Sequence, residues 1–471
     1  MRKQVLFERF LLLFAVCVAI AVLIAFLVKP AAEAPDYNLP DVDISDTTDV
    51  DAQPVTTDTD TTLEPATEPV TTDPPQTDPP ETEPVTDPVT EPPVTEPPVT
   101  EPPVTEPPVT EPPVTEPVEK VVSVLACGDN LLYRPNTYEA DELADGGKRS
   151  YVFTYENIRP LVEAADIAFI NQETLLCGGN VGYPQFNSPF EVADSLAEIG
   201  FDVANIATNH MLDVGYNGIL SSTGEGIPIC RDTLEKAGIT AIGGYLNEDD
   251  FKSIRVIERD GIKIAFLAFT ESTNTFTLFP DVDIYIPYLT EENVNTAVAL
   301  AKEVADVIIV SAHWGVDSAS KISETQIKFA QLFADLGVYA VIGHHSHIIQ
   351  PIEWIEGKDG NRMLCAYSLG NLIGIMEYPL NVLGGIMTFD IRVTEGEDPV
   401  IENVGFVPTV YNYNFYYRSN KIYYLEDYTD EMTDKHGVYT RYEHDFAIEE
   451  LVSHINKNIP ADMQKSKNDY Q

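Results

Sequence analysis

The residues of this 471-residue chain best suited to chemistry recur at the ends of apolar runs. VLACGD ends in Asp129, IAFINQE in Asn171 and Glu173, and VANIATNH in Asn209 and His210. VIIVSAHWG carries His313 and Trp314, and AVIGHHSH ends in His344, His345 and His347. Five of the eight histidines stand at these places. Taken singly, an Asp or Asn there reads as a turn or helix cap, and His313 beside Trp314 as a core histidine. Taken together, two carboxylates, an amide and several imidazoles form a mixed O/N ligand set for one or two divalent ions. Mn, Zn or Fe suit such a set, and thiolate-preferring metals are disfavoured because no cysteine belongs to it. Within a strand, His345 and His347 would project to one face and could bind adjacent metals.

Such a cluster needs a rigid scaffold, and the composition changes to that of a folded domain at Val121. Strands are expected at 121–128, 166–171 and 202–207 and over VIIVSAHWG and YAVIGHHSH. Helices are expected in 151–164, 231–237, 291–305 and 324–336. Two hairpins turn at Asp260-Gly261 and Asp359-Gly360. This alternation argues for an α/β fold, and the hairpins for mixed rather than purely parallel sheets. Each candidate residue then lies where open α/β sheets place their ligands, at the carboxyl ends of strands.

The ordered series GDNLL, NQETLL, ATNHMLDVG, AHWG, GHHSHIIQP and YSLGN, over about residues 121–409, resembles the CapA-type capsule (poly-γ-glutamate) synthesis protein family of the calcineurin-like metallophosphoesterase superfamily. The resemblance implies a layered α/β/β/α sandwich. It implies that Asp129 binds one metal, Glu173 bridges two, and Asn209 binds the second. His210 would protonate the leaving group, and His313, His345 and His347 would complete the two spheres. Asn171, Asn187, Trp314 and Asn371 would touch substrate or the ligating side chains. Superfamily members carry GDxH, whereas Asn130 and Leu131 follow Asp129 here. The extra His344 could replace the missing ligand, contact substrate or donate to a neighbouring loop. The implied function is a metal-dependent, phosphoesterase-like hydrolase in capsule or poly-γ-glutamate biosynthesis, or alternatively a non-catalytic polymer-binding or export component using the same cleft. Its partners would be an anionic cell-surface polymer or phosphoester and membrane proteins of capsule biosynthesis.

The rest of the chain bears on location. Phe10 to Val28 is uncharged and about long enough to span a bilayer, and Arg2, Lys3 and Arg9 precede it, so the expected topology is a single-pass anchor with a cytoplasmic N-terminus and an extracellular domain. Cleavage at Ala32-x-Ala34 is the alternative. Residues 31–120 hold 23 acids and 22 of the 35 prolines, with VTEPP repeated five times from Val89 to Pro113. That composition reads as a disordered, extended stalk. The five cysteines read as structural, although Cys177 and Cys230 could pair. The segment 410–471, rich in tyrosine and acid, is expected as an extension on the domain surface, with a lid over the cleft or a carbohydrate-stacking surface as the alternatives. A formal charge of −48 opposes phosphate backbones and excludes a nucleic-acid binder that works by charge neutralisation.

Overall fold

The computed structural model describes residues 118–470 apart from 180, 181, 183, 184, 215–222 and 275. The apolar run at 10–28, the Ala32-x-Ala34 site and the repeats of the stalk lie outside the described residues. No helix among the described residues is long and apolar enough to cross a membrane.

Fourteen strands of the described residues form two sheets. The first contains β1 (Glu119–Asn130), β2 (Ile167–Asn171), β3 (Val203–Asn205) and β4 (Thr240–Ile242) in parallel. It also holds β11 (Asn371–Ile373), β12 (Leu383–Thr394), β13 (Val400–Asn412) and β14 (Lys421–Tyr424), in the order β14-β13-β12-β1-β2-β3-β4, with β11 parallel to the end of β1. The second has the order β5-β6-β7-β8-β10-β9, built from β5 (Arg255–Arg259), β6 (Ile262–Thr270), β7 (Val307–His313), β8 (Ala340–His344), β9 (Ile352–Glu356) and β10 (Arg362–Ala366). Both sheets are mixed, as the hairpins led us to expect. The first hairpin turns through Asp260 and Gly261, both with positive φ, the pairing that a tight two-residue turn requires.

The sequence alternation of period two sets the layers. In β6, Ile264, Phe266 and Ala268 enter the core shared with β1–β4, and Phe266 stacks on Phe169 across the two sheets with ring centroids 6.3 Å apart. The intervening Ala265, Leu267 and Phe269 face the other way, into a separate core with the helices Glu291–Lys302 and Glu324–Asp335. Helices Arg159–Ala164 and Glu191–Ile199 contribute Leu161, Val162, Val192 and Leu196 to the first core. The helix at Glu324 starts on a reciprocal cap, in which the Ser323 hydroxyl accepts from the Gln326 amide and the Gln326 side chain accepts from the Ser323 amide.

One expectation changes. The segment after residue 409 is no surface extension: the 409/410 boundary falls inside β13, and Tyr411 and Tyr413 are fully buried in the first core. Apolar positions alternating along β13 make it an interior strand, and the helix Ile448–Asn458 adds Leu451 and Ile455 to the same core. Cys177 and Cys230 do not pair, in keeping with their reading as structural: the Cys230 sulfur accepts from the Leu176 amide and the Cys177 thiol donates to the Gly226 carbonyl.

Candidate metal centre

Strand register assembles the site. Asn371 of β11, Asp129 of β1, Asn171 of β2 and Asn205 of β3 are successive register partners, forming one row of side chains across the carboxyl edge of the first sheet. In the second sheet His313 of β7 pairs with His344 of β8. The two edges meet where His344 Nδ1 lies 3.3 Å from Asp129 Oδ1. A break in register at Gly128 makes this possible, because a Cβ there would sit 2.0 Å from the Gly370 carbonyl oxygen and keep β11 away from Asp129.

Asp129 is fully buried and held on several sides. Asn205 Nδ2 donates to Asn171 Oδ1 at 2.7 Å, and Asn171 Nδ2 donates to Asp129 Oδ1 at 2.8 Å. The His345 amide donates to Oδ2 at 3.2 Å, and His347 Nδ1 lies 3.2 Å from the same oxygen. Burial alone would raise Asp129, but His344 and His347 hold its carboxyl well below the usual carboxylate range.

Glu173 lies opposite, fully buried, with neither carboxylate oxygen in a hydrogen bond. His347 Nε2 stands 3.5 Å and His313 Nε2 3.9 Å from its Oε1. Burial pushes Glu173 well above the usual range; His347 opposes this, and the charges of Asp129, Asp317 and Asp213 reinforce it. For His347 burial works downward, yet Glu173 and Asp129 raise the imidazole well above its ordinary value. Ligand atoms of Asp129, Glu173 and His347 lie within 4.8 Å of one another. Asn209 Oδ1 is 2.9 Å from His313 Nε2, and Asn274 exchanges two hydrogen bonds with Asn209 that fix the direction of its amide.

His345 and His347 do not share a strand face as expected. β8 ends at His344, and the two residues occupy the following turn with φ of 88° and 54°. Left-handed backbone at two non-glycine residues turns both rings inward, with centroids 6.2 Å apart, and places the His345 ring 4.9 Å from that of His313. His347 Nδ1 also meets Asn371 Oδ1 at 2.9 Å, leaving Nε2 toward Glu173.

His210 stands at the rim, with the Phe186 ring edge-on at 4.6 Å. Its Nδ1 donates to Asp213 Oδ2 at 2.7 Å, and that oxygen also accepts from the Phe186 amide. Asn187 braces the loop after Glu173 by accepting from the Cys177 amide. Trp314 takes no part in the cleft: it is fully buried in the helix-side core and donates from Nε1 to the Tyr367 carbonyl. Alternation along the chain sends it to the face opposite His313. Leu131, at the position of the GDxH histidine, is buried.

Sequence reasoning missed Asp213, Asn205 and Asn274. Asp213 was signalled by its place three residues after His210 in TNHMLD, and Asn205 by being a carboxamide inside an apolar strand. Also missed was a second amide contact, from Asn130 Nδ2 to Gln172 Oε1 at 2.7 Å, with Asn130 Oδ1 accepting from the Tyr155 hydroxyl.

The residues fit a divalent cation. Both Glu173 oxygens, His313 Nδ1, His345 Nδ1 and both His344 nitrogens are buried with no hydrogen-bond partner, a cost that oxygen and imidazole donors recover by coordination.

Comparison with known proteins bears on the same stretch of chain. The sequence is 31% identical over 187 residues to the PGA biosynthesis protein CapA of Bacillus subtilis, covering 38% of this chain and 44% of that protein. It is 28% identical over 197 residues to the capsule biosynthesis protein CapA of Bacillus anthracis, covering 39% and 42%. The chain thus spans less than half the length of these curated relatives. Among solved structures, the calcineurin-like phosphoesterase YfkN from Bacillus subtilis aligns with a TM-score of 0.35 at 13% identity, over 72% of this chain and 97% of that one. The NAD nucleotidase NadN of Haemophilus influenzae aligns at 0.39 and 14%, over 74% and 59%. The model of the bacterial capsule synthesis protein PGA_cap matches residues 123–375, more than half of the chain and the stretch that carries every residue of the cluster from Asp129 to Asn371, and the chain therefore belongs to that family.

Proposed function

We propose that this chain is a metal-dependent hydrolase of phosphoesterase type, anchored at the cell surface and acting on a capsule polymer or its precursor. The observation that supports it is Glu173, whose two carboxylate oxygens are buried and unpartnered and whose Oε1 lies 3.5 Å from His347 Nε2 and 3.9 Å from His313 Nε2. Asp129, Glu173 and His347 would hold one ion, and Glu173, Asn209 and His313 a second, with His345 available to either. A divalent cation there supplies Lewis acidity at the reacting ester or amide oxygen. The chain supplies the rest. Asp213 fixes the His210 proton on Nδ1 and would hold an imidazolium that donates from Nε2 to the leaving group. The apolar surround of Phe169, Phe186 and Leu131 limits water around the charged cluster. The anchor would be the apolar run at 10–28, and the Pro-rich segment would carry the domain outward.

The test is metal analysis of the purified full chain, with hydrolysis assayed on phosphodiester, phosphomonoester and γ-glutamyl substrates. Bound metal that disappears in His313→Ala and Glu173→Gln, together with activity on one substrate class, supports the reading. A metal-free protein unaffected by these changes would sink it.

A second reading has its own observation. With buried Leu131 at the GDxH position, one sphere has one imidazole fewer than in the superfamily, which favours a cleft that binds or conveys a polymer without cleaving it. Full complementation of a capsule-deficient host by the Asp129→Ala, His210→Ala variant would favour this reading over catalysis.

A further inference from the structure

The family match ends at residue 375, and the chain beyond it returns twice to the residues around His347. The first return is the short 3-10 turn Pro379–Asn381. The Asn381 carbonyl accepts from Asn371 Nδ2 at 2.7 Å, and a carbonyl can only accept, so the Asn371 amide presents Oδ1 to His347 Nδ1. In the neutral ring this places the proton on Nδ1 and leaves the Nε2 lone pair toward Glu173. The Asn381 side chain donates from Nδ2 to the Ser318 hydroxyl at 3.2 Å. The Ser318 amide in turn donates to the carbonyl of Ser346, between His345 and His347, at 2.9 Å.

The second return is His454, on the helix Ile448–Asn458. Leu451 and Ile455 of that helix enter the first core, and His454, on the same face, is buried. Its Nε2 donates to the Ile349 carbonyl at 2.7 Å. Ile349 lies two residues past His347 and is packed hard against the approach to Asn371. A Cβ at Gly370 would stand 3.0 Å from Ile349 Cγ1 and 3.3 Å from the Ile349 amide nitrogen. Gly370 itself has φ of 68°, a conformation that glycine adopts without strain. One hydrogen bond therefore bears on two segments, the turn with His345 and His347 and the strand end with Asn371.

The turn requires holding from outside itself. Left-handed backbone at His345 and His347 is unfavourable in isolation and persists only where the surroundings over-determine it. Two bonds come from close at hand: the Ser346 hydroxyl donates to the Ile348 carbonyl at 2.8 Å, and the His345 amide donates to Asp129. We propose that His454 is a positioning residue for the metal centre, acting through the Ile349 carbonyl to keep the imidazoles of His345 and His347 turned into the cluster. It touches neither the ion nor the substrate. The proposal rests on the reading that the cluster holds a divalent cation, and it gives the C-terminal helix, which lies outside the family match, a part in that site.

The test uses the metal-stripped full chain as wild type, His454→Leu and His454→Gln. Each is titrated with Mn(II) or Zn(II) against a chelator, and amide hydrogen exchange is followed over residues 344–350. His454→Leu, which removes the donor, should weaken binding of the ion by about tenfold or more and speed exchange across the turn. His454→Gln, whose side-chain amide restores an N–H, should recover most of both. A helix that merely supports the fold gives a different pattern, in which His454→Leu lowers the melting temperature of the metal-free protein while affinity for the ion holds. That pattern overturns the proposal, as does exchange in the turn that ignores the substitution. A wild-type chain that binds neither ion would sink the proposed function instead. Exchange alone would then decide whether His454 holds the turn, so the two readings can fail separately.

Discussion

Asp213 accepts from His210 Nδ1 and so leaves Nε2 as the nitrogen that would act under the proposed hydrolysis. Asp213→Asn should lower turnover by ~10²-fold or more, and the double variant with His210→Gln should be no worse than His210→Gln alone. Steady-state kinetics on the substrate class found active would show this non-additivity. Asn371 stands one step behind His347, a candidate ligand, since its Oδ1 meets His347 Nδ1 and turns Nε2 toward Glu173. Asn371→Ala should weaken metal binding by ~10–100-fold while leaving the fold intact, as read by competition with a chelator. His436 offers a separate pH signature, remote from the cluster. Its Nε2 donates to the Tyr411 carbonyl and its Nδ1 accepts from the Val438 amide, so only the neutral ring fits. Burial pushes it down to about 4, against a small upward pull from the Tyr411 carbonyl. Because the unfolded imidazole takes up its proton first, the stability carried by the neutral ring is intact above pH 6.5 and is lost as pH falls from there to about 4. Denaturation at a series of pH values should show the wild type losing up to ~3 kcal/mol more than His436→Gln over that window.

At the scale of elements, strand ends and turns did most to make the site legible. VLACGD, VIIVSAHWG and AVIGHHSH read as buried strands from their apolar runs, and the structure makes them β1, β7 and β8. The α/β class followed from alternation, the layered sandwich from the family resemblance, and the two hairpins from their Asp-Gly turns. What the sequence could not show was register and backbone sign. The row from Asn371 to Asn205 depends on which residues pair across four strands, a long-range property. The positive φ of His345 and His347 is imposed by the turn after β8, and nothing in HHSH predicts it. The aromatic run after residue 410 misled because YNYNFYY alternates rings that go inward, such as Tyr411 and Tyr413, with rings that stay out, such as Tyr416. The break at Gly128 carries a prediction: Gly128→Ala should push β11 away from Asp129 and destabilise the domain by roughly 1–3 kcal/mol, with loss of metal as the second readout.

For the whole molecule, the last third of the chain belongs to the same body as the first strand. A chain ending at residue 409 cuts β13 and removes β14, Tyr411, Tyr413 and the helix Ile448–Asn458 from the core. It should show no cooperative unfolding transition, where the full-length domain should show one. Strand order has another consequence, in time rather than in energy. β1 is the first strand of the domain and lies inside its sheet, yet much of its length is paired by β12, with Glu119 opposite Thr394 and Cys127 opposite Ile386. A chain emerging N-terminus first therefore exposes VVSVLACGD without that partner until β12, at Leu383–Thr394, has followed. Loops this long close slowly, so refolding from denaturant should take milliseconds to seconds or more and should compete with aggregation through the unpaired edge of β1.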